Sequence, residues 1–116
     1  MQALRQGDVI LIPTKRQPSA RARAVQDAGR TILAYGEMTG HAHEVVTAAP
    51  PMLAQDDETV PAQELFQEPD GSRLLVCRVP CELRHQEHGP IALTATTYEV
   101  RRQTEWSLDQ ARQVAD

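Results

Sequence analysis

The apolar residues of this chain come in strand-length runs, each closed by glycine, proline or a turn-forming cluster, and that punctuation points to an all-β fold. The stretch "GDVILIPTK" (7–15) is a β-branched run bounded by Gly7-Asp8 and Pro13, the pattern of a buried strand. Residues 16–30 fit either a short helix capped by Ser19 and ending near Gly29, or an edge strand turning at "DAGR". The strand is favoured, because another β-like run follows Gly29 at once. In that run, residues 31–46, alternation puts Leu33, Tyr35, Glu37, Thr39, His41, His43 and Val45 on one side. Gly36 and Gly40 fall on the other side, where a bulge or a close backbone approach is expected.

Residues 48–61, with three prolines and the acidic run Asp56-Asp57-Glu58, read as a solvated surface connection. The stretch "AQELFQ" (62–67) is a short strand, and "EPDGS" (68–72) is a turn. Residues 74–85 form the strongest strand pattern. Leu75, Cys77, Val79, Cys81, Leu83 and His85 line one face, and Pro80 marks an edge or a bulge because it has no N–H for the ladder. After "QEHGP" come a short strand, a kink and a longer strand through residue 106, and Ser107 with Gln110 makes a capping box for a short C-terminal helix. The expectation is a small antiparallel β-barrel or sandwich of about six strands. Residues 1–106 form a single β domain and residues 107–116 a C-terminal helix or tail.

A chain of 116 residues is one domain, and with only 3% aromatic residues its core must be aliphatic. A net charge of −4 argues against nucleic acid as the main partner, since phosphate binding needs a basic face and acids dilute the clusters at Arg21, Arg23, Arg30, Arg101 and Arg102. No apolar run approaches the roughly 20 residues of a membrane span. The N-terminal residues do not have the pattern of a secretory leader, so the expected address is cytoplasmic. Cys77 and Cys81 are expected to be reduced: four residues of extended strand separate them by about 13 Å, and a disulfide needs Cα atoms within roughly 7 Å. Buried free cysteines more often serve as small hydrophobes than as ligands.

All four histidines fall in two short stretches, "GHAHEV" (40–45) and "RHQEHGPI" (84–91). His41 and His43 share a strand face, the half-site a first-row transition ion needs. His85 ends an apolar face and points inward, and the Gly89-Pro90 turn can swing His88 back toward it. Four neutral imidazoles, or three with Glu37, Glu44 or Glu87, suit zinc, nickel, copper or iron. Two other readings stay open: a solvated, purely structural set, and metal-free acid–base chemistry between histidines near neutral pH. The stretch "HQEH" does not have the H-E-x-x-H spacing of a helical metalloprotease site.

The stretch "GEMTGHAHEV" is similar to the first cupin motif through Gly36, His41 and His43, although Glu44 stands too close to be the glutamate of that motif and the second motif is absent. The opening "GDVILIP" together with "HGPIAL…YEVRRQTEW" resembles a family of small, uncharacterised bacterial proteins with G-H-x-H and H-x-E-H-G-P stretches. That resemblance implies a shared fold and no particular activity. The reading that follows is a cytoplasmic β-protein binding a transition metal through His41, His43, His85 and His88, with Glu87 or Glu44 as proton shuttle if the site is a metal-dependent hydrolase. The rival is a non-catalytic accessory module whose edge strand pairs with itself or with a larger partner protein.

Overall fold

In the computed structural model, residues 2–36 and 40–103 are described. They form twelve strands: β1 (Leu4–Gln6), β2 (Val9–Thr14), β3 (Arg23–Val25), β4 (Thr31–Tyr35), β5 (Ala42–Val46), β6 (Met52–Gln55), β7 (Glu58–Pro61), β8 (Gln63–Gln67), β9 (Arg73–Cys77), β10 (Cys81–Arg84), β11 (Ile91–Leu93) and β12 (Thr97–Arg102). A six-stranded sheet runs β1-β2-β12-β9-β8-β3, a four-stranded sheet runs β11-β10-β5-β4, and β6 and β7 form a separate hairpin. Every pairing is antiparallel. The fold is therefore all-β and sandwich-like, and among the described residues neither sheet closes into a barrel. The expected helix over 107–116 lies outside the described residues.

One aliphatic core joins the two larger sheets. Val9, Leu11, Leu65, Leu75 and Val100 come from the six-stranded sheet and Leu33, Val45, Leu83 and Leu93 from the four-stranded one. Each such side chain, buried from water, is worth about 1.5–3 kcal/mol. Among the described residues Tyr98 is the one fully buried aromatic side chain; its hydroxyl accepts from the Thr94 amide at 3.0 Å, which satisfies its polar end.

The strand count is twice the expected one, because three stretches break where their sequence permits. The expected single strand over 31–46 is instead two: β4 pairs with β5, and the Gly36 amide donates to the His41 carbonyl at 2.8 Å. Gly40, at φ +83°, makes the turn that only a residue without Cβ adopts freely. The register irregularity lies between Ile32 and Ala34 and not at the glycines. Residues 73–84 are split at the Val79-Pro80 bend, so β9 and β10 belong to different sheets. The presumed connection 48–61 contains the β6–β7 hairpin, turned by Asp56 and Asp57 at φ +45° and +66°. Residues 16–30 do contain an edge strand, β3 on β8, followed by the Asp27–Arg30 turn.

Candidate functional site

Three connections meet at one end of the sandwich: β1–β2, β4–β5 and β10–β11. They enclose a surface cleft of about 300 Å³ lined by Asp8, Gly36, His41, His43, His85, Glu87 and His88. Strand β5 carries His43 inward, where only 2% of it is exposed. His41 sits just before β5, and the Gln86 side chain accepts from the Ala42 amide at 2.9 Å, which ties this segment to the loop bearing His85 and His88. The imidazole ring centres of His43 and His85 are 4.3 Å apart, those of His85 and His88 4.8 Å, those of His41 and His85 5.6 Å, and those of His43 and His88 6.1 Å.

The protonation pattern can be derived from the hydrogen bonds. Gln6, buried at the end of β1, donates through Nε2 to the carbonyls of Leu83 and Gly89, both at 2.9 Å. Its Oε1 must therefore face His43 Nδ1, 2.9 Å away, as an acceptor. A flipped amide would set its oxygen against two carbonyls, so the donor at this contact is His43 Nδ1–H. In the neutral ring the lone pair is then on Nε2, which looks into the cleft toward Asp8 Oδ1 at 3.6 Å.

Burial first, then the neighbouring His85, lower the His43 pKa to about 4 against the pull of Asp8. Burial works against charge on Asp8, yet the hydrogen bond and charge of Arg102 hold its carboxyl below the usual carboxylate range. Arg102 Nε reaches Asp8 Oδ2 at 3.1 Å from the end of β12. At neutral pH the cleft thus opposes two acceptors, a carboxylate and an imidazole lone pair, with no proton between them.

His85 is set differently. Its Nδ1 accepts the Glu87 amide at 3.0 Å, so its neutral ring carries the proton on Nε2. Burial, then His88 and His41, lower its pKa. His41 Nδ1 lies 3.8 Å from Glu87 Oε1 at the exposed rim. Gly7, at φ +59°, passes under two rings: a Cβ there would stand 2.9 Å from His88 Nε2 and 3.2 Å from His43 Cε1. A Cβ at Gly36 would meet His41 Cβ at 2.8 Å. Both glycines leave room that the rings occupy.

All four histidines and Glu87 thus reach the cleft. Glu44 does not: it follows His43 on the opposite face of β5 and pairs with Arg30, Nη2 to Oε1 at 2.8 Å. Glu37 lies outside the described residues. Asp8, Gln6 and Arg102 were absent from the sequence-based set. Asp8 stands in the "GDV" turn, a signal that reads only as a strand boundary, and Arg102 is brought to it by the β2–β12 pairing, 94 residues away. Among the described residues, no three His, Cys, Asp or Glu side chains already stand in an arrangement that could hold a metal ion.

The fold and cleft define a small antiparallel β-sandwich with a histidine-rich end. The chain belongs to the DUF8820 family, a domain of unknown function whose family model matches residues 5–103. That span includes every residue of the cleft. No curated protein and no solved structure matches the chain significantly. Among the described residues no helix is long and apolar enough to cross a membrane.

Proposed function

We propose that the cleft binds one divalent first-row transition-metal ion, with His43 Nε2 and Asp8 Oδ1 as its preset pair. The observation that carries this reading is the 3.6 Å separation of two acceptors, each locked from behind, His43 by Gln6 and Asp8 by Arg102. Two acceptors held face to face repel unless a donor or a cation lies between them. An ion about 2.0–2.2 Å from each atom would subtend an angle of roughly 120° at that separation, within the range of near-tetrahedral coordination. The Gln6–His43 bond is also the outer-shell contact that fixes tautomer and ring orientation in metal-ligating histidines.

His88 supplies a third donor, and His41 is a fourth that closes the set as a structural site or, standing aside, leaves a position open for water. Imidazoles sharing one tetrahedral ion have ring centres about 5 Å apart, and those of His43 and His88 stand at 6.1 Å. Bringing His41 and His88 into line requires ring rotations. Each costs on the order of 1 kcal/mol, against roughly 10 kcal/mol or more of binding energy at an all-protein zinc site. The H-x-H spacing shared with the first cupin motif agrees with this ligand pair. His85, whose Nε2 carries a proton, serves as a donor to whatever anion or water fills an open position rather than as a ligand in its present ring orientation.

A metal with an open position supplies a Lewis acid and a water acidified to about neutral pKa, the chemistry of a hydrolase. In that role Glu87, at the rim beside His41, is the proton acceptor. The rival reading as an assembly module finds support in β4, an edge strand of the four-stranded sheet with Tyr35 56% exposed at its end.

The deciding experiment is plasma mass spectrometry on purified, untagged protein stripped with chelator and reloaded separately with zinc, nickel, copper and iron. Close to one ion per chain in the wild type, lost in both His43→Ala and Asp8→Ala, is the expected result. Loading that survives both substitutions, or none in the wild type, overturns the reading and turns attention to assembly.

A further inference from the structure

Where β5 ends and β10 begins, a second cleft of about 270 Å³ is lined by Thr47, Pro80, Cys81, Glu82 and Arg84 among others. Cys81 opens strand β10, directly after the Pro80 bend that separates it from Cys77 at the end of β9. The bend undoes the separation that a straight strand would impose. Cys81 Sγ donates to the Val79 carbonyl at 3.1 Å, and the Cys77 thiol and the Thr47 hydroxyl lie near enough to shift its titration. Gln63 bridges the pair from β8: its Cα is registered opposite Cys77, and its Oε1 lies 3.9 Å from Cys81 Sγ. Both thiols are free.

The two cysteines are not equivalent. Cys77 is 3% exposed and sealed in the shared core, whereas Cys81 lines the cleft. The hydrogen bond from Cys77, aided by one from Thr47 and opposed by burial, holds the Cys81 thiol below the ordinary thiol range. The same bond, with burial, pushes Cys77 up. Nucleophilicity toward disulfides follows the thiolate fraction and access, and both favour Cys81.

We infer that Cys77 and Cys81 form a thiol–disulfide exchange site, with Cys81 as the entry thiol facing the second cleft and Cys77 as the resolving thiol behind it. The co-reactant class is a low-molecular-weight disulfide. The Cys81 thiolate attacks one sulfur of the reagent; that S–S bond breaks, one reagent thiolate leaves, and a mixed disulfide forms on Cys81. Cys77 then attacks the Cys81 sulfur and expels the second reagent thiolate, which takes up the Cys77 proton. The protein loses two electrons and two protons, and the reagent is reduced to two thiols. The closed disulfide ties β9 of one sheet to β10 of the other across Pro80.

The test treats the folded full-length protein with 2-hydroxyethyl disulfide, a neutral reagent small enough for the cleft, and follows intact mass and tryptic peptides. Wild type is expected to lose two hydrogens and retain no reagent. Cys77→Ser should keep one hydroxyethylthio group on Cys81, and Cys81→Ser should react at least about tenfold more slowly than Cys77→Ser. Three results would overturn the assignment: a wild type that keeps the adduct, equal labelling rates in the two variants, or a folded wild type that does not react although the urea-unfolded chain does. Circular dichroism of both serine variants shows whether each remains folded while labelled.

Discussion

Replacing Gln6 with methionine preserves side-chain volume and length while deleting all three of its hydrogen bonds. Gln6 is 3% exposed and His43 2%, so water cannot readily substitute at the contact between them. The His43 Nδ1–H would be left buried without an acceptor, which costs about 1–3 kcal/mol. The Leu83 carbonyl loses a buried donor, for about 0.5–1.5 kcal/mol, whereas the Gly89 carbonyl sits in an exposed loop where water can take over. The sum is about 1.5–4.5 kcal/mol, partly offset by burying the more apolar methionine. Urea unfolding followed by far-UV circular dichroism measures it, with an unchanged m-value showing that the transition itself is the same. Freed from its acceptor, His43 would also lose its fixed tautomer, and outer-shell losses of this kind weaken metal binding about 10–100-fold. A Gln6→Met protein within 0.5 kcal/mol of wild type would refute the assignment of Gln6 as the buried anchor of His43.

The depressed pKa of His43 predicts a stability that depends on pH. With a folded value of about 4 against 6.5 for the free side chain, the unfolded chain binds more protons between these values. Stability is therefore complete above pH 6.5 and falls by roughly 3 kcal/mol as pH drops toward 4. Urea midpoints at pH 7 and pH 4.5 should separate in wild type and separate less in His43→Gln, with the remainder from groups such as His85, whose pKa is lowered too, whereas a separation unchanged by the substitution would assign the whole effect to other groups. Gly7→Ala should destabilise more than Gly29→Ala in thermal melts. Both glycines are at positive φ, but a Cβ at Gly7 stands 2.9 Å from His88 Nε2 and one at Gly29 meets nothing within 4 Å; equal losses would mean that the ring yields freely. At the β6–β7 turn, Asp57→Gly relieves a φ of +66° and should raise stability by about 0.5–1 kcal/mol, read as a higher melting temperature.

Much of the site was legible because histidine spacing and turn chemistry are local. His41 and His43 were paired by strand parity and His85 and His88 by the Gly89-Pro90 turn, and both pairs do reach one cleft, though the first stands beyond a hairpin turn rather than on one long strand. Glu44 could have been discarded from parity alone, since adjacent residues of a strand point to opposite faces. Asp8, Gln6 and Arg102 were beyond local reading. Their roles arise from pairings and hydrogen bonds that join β1, β5 and β12 across 37 to 94 residues, and no short-range pattern encodes such contacts. The same limit hid the Cys77–Cys81 contact: the straight-strand distance between them fails because Pro80 bends the chain between two sheets. Strand types were recovered where alternation was strong, and strand count was underestimated where glycine or proline broke a long run.

The most direct test of the metal reading is the long-range 1H–15N spectrum of the imidazole rings, recorded before and after one equivalent of zinc. The expected free-state pattern has His43 protonated on Nδ1 with a bare Nε2, and zinc should shift that Nε2 resonance strongly while Nδ1–H persists. A His43 ring protonated on Nε2, or four imidazoles whose nitrogens do not respond to zinc, would contradict the account.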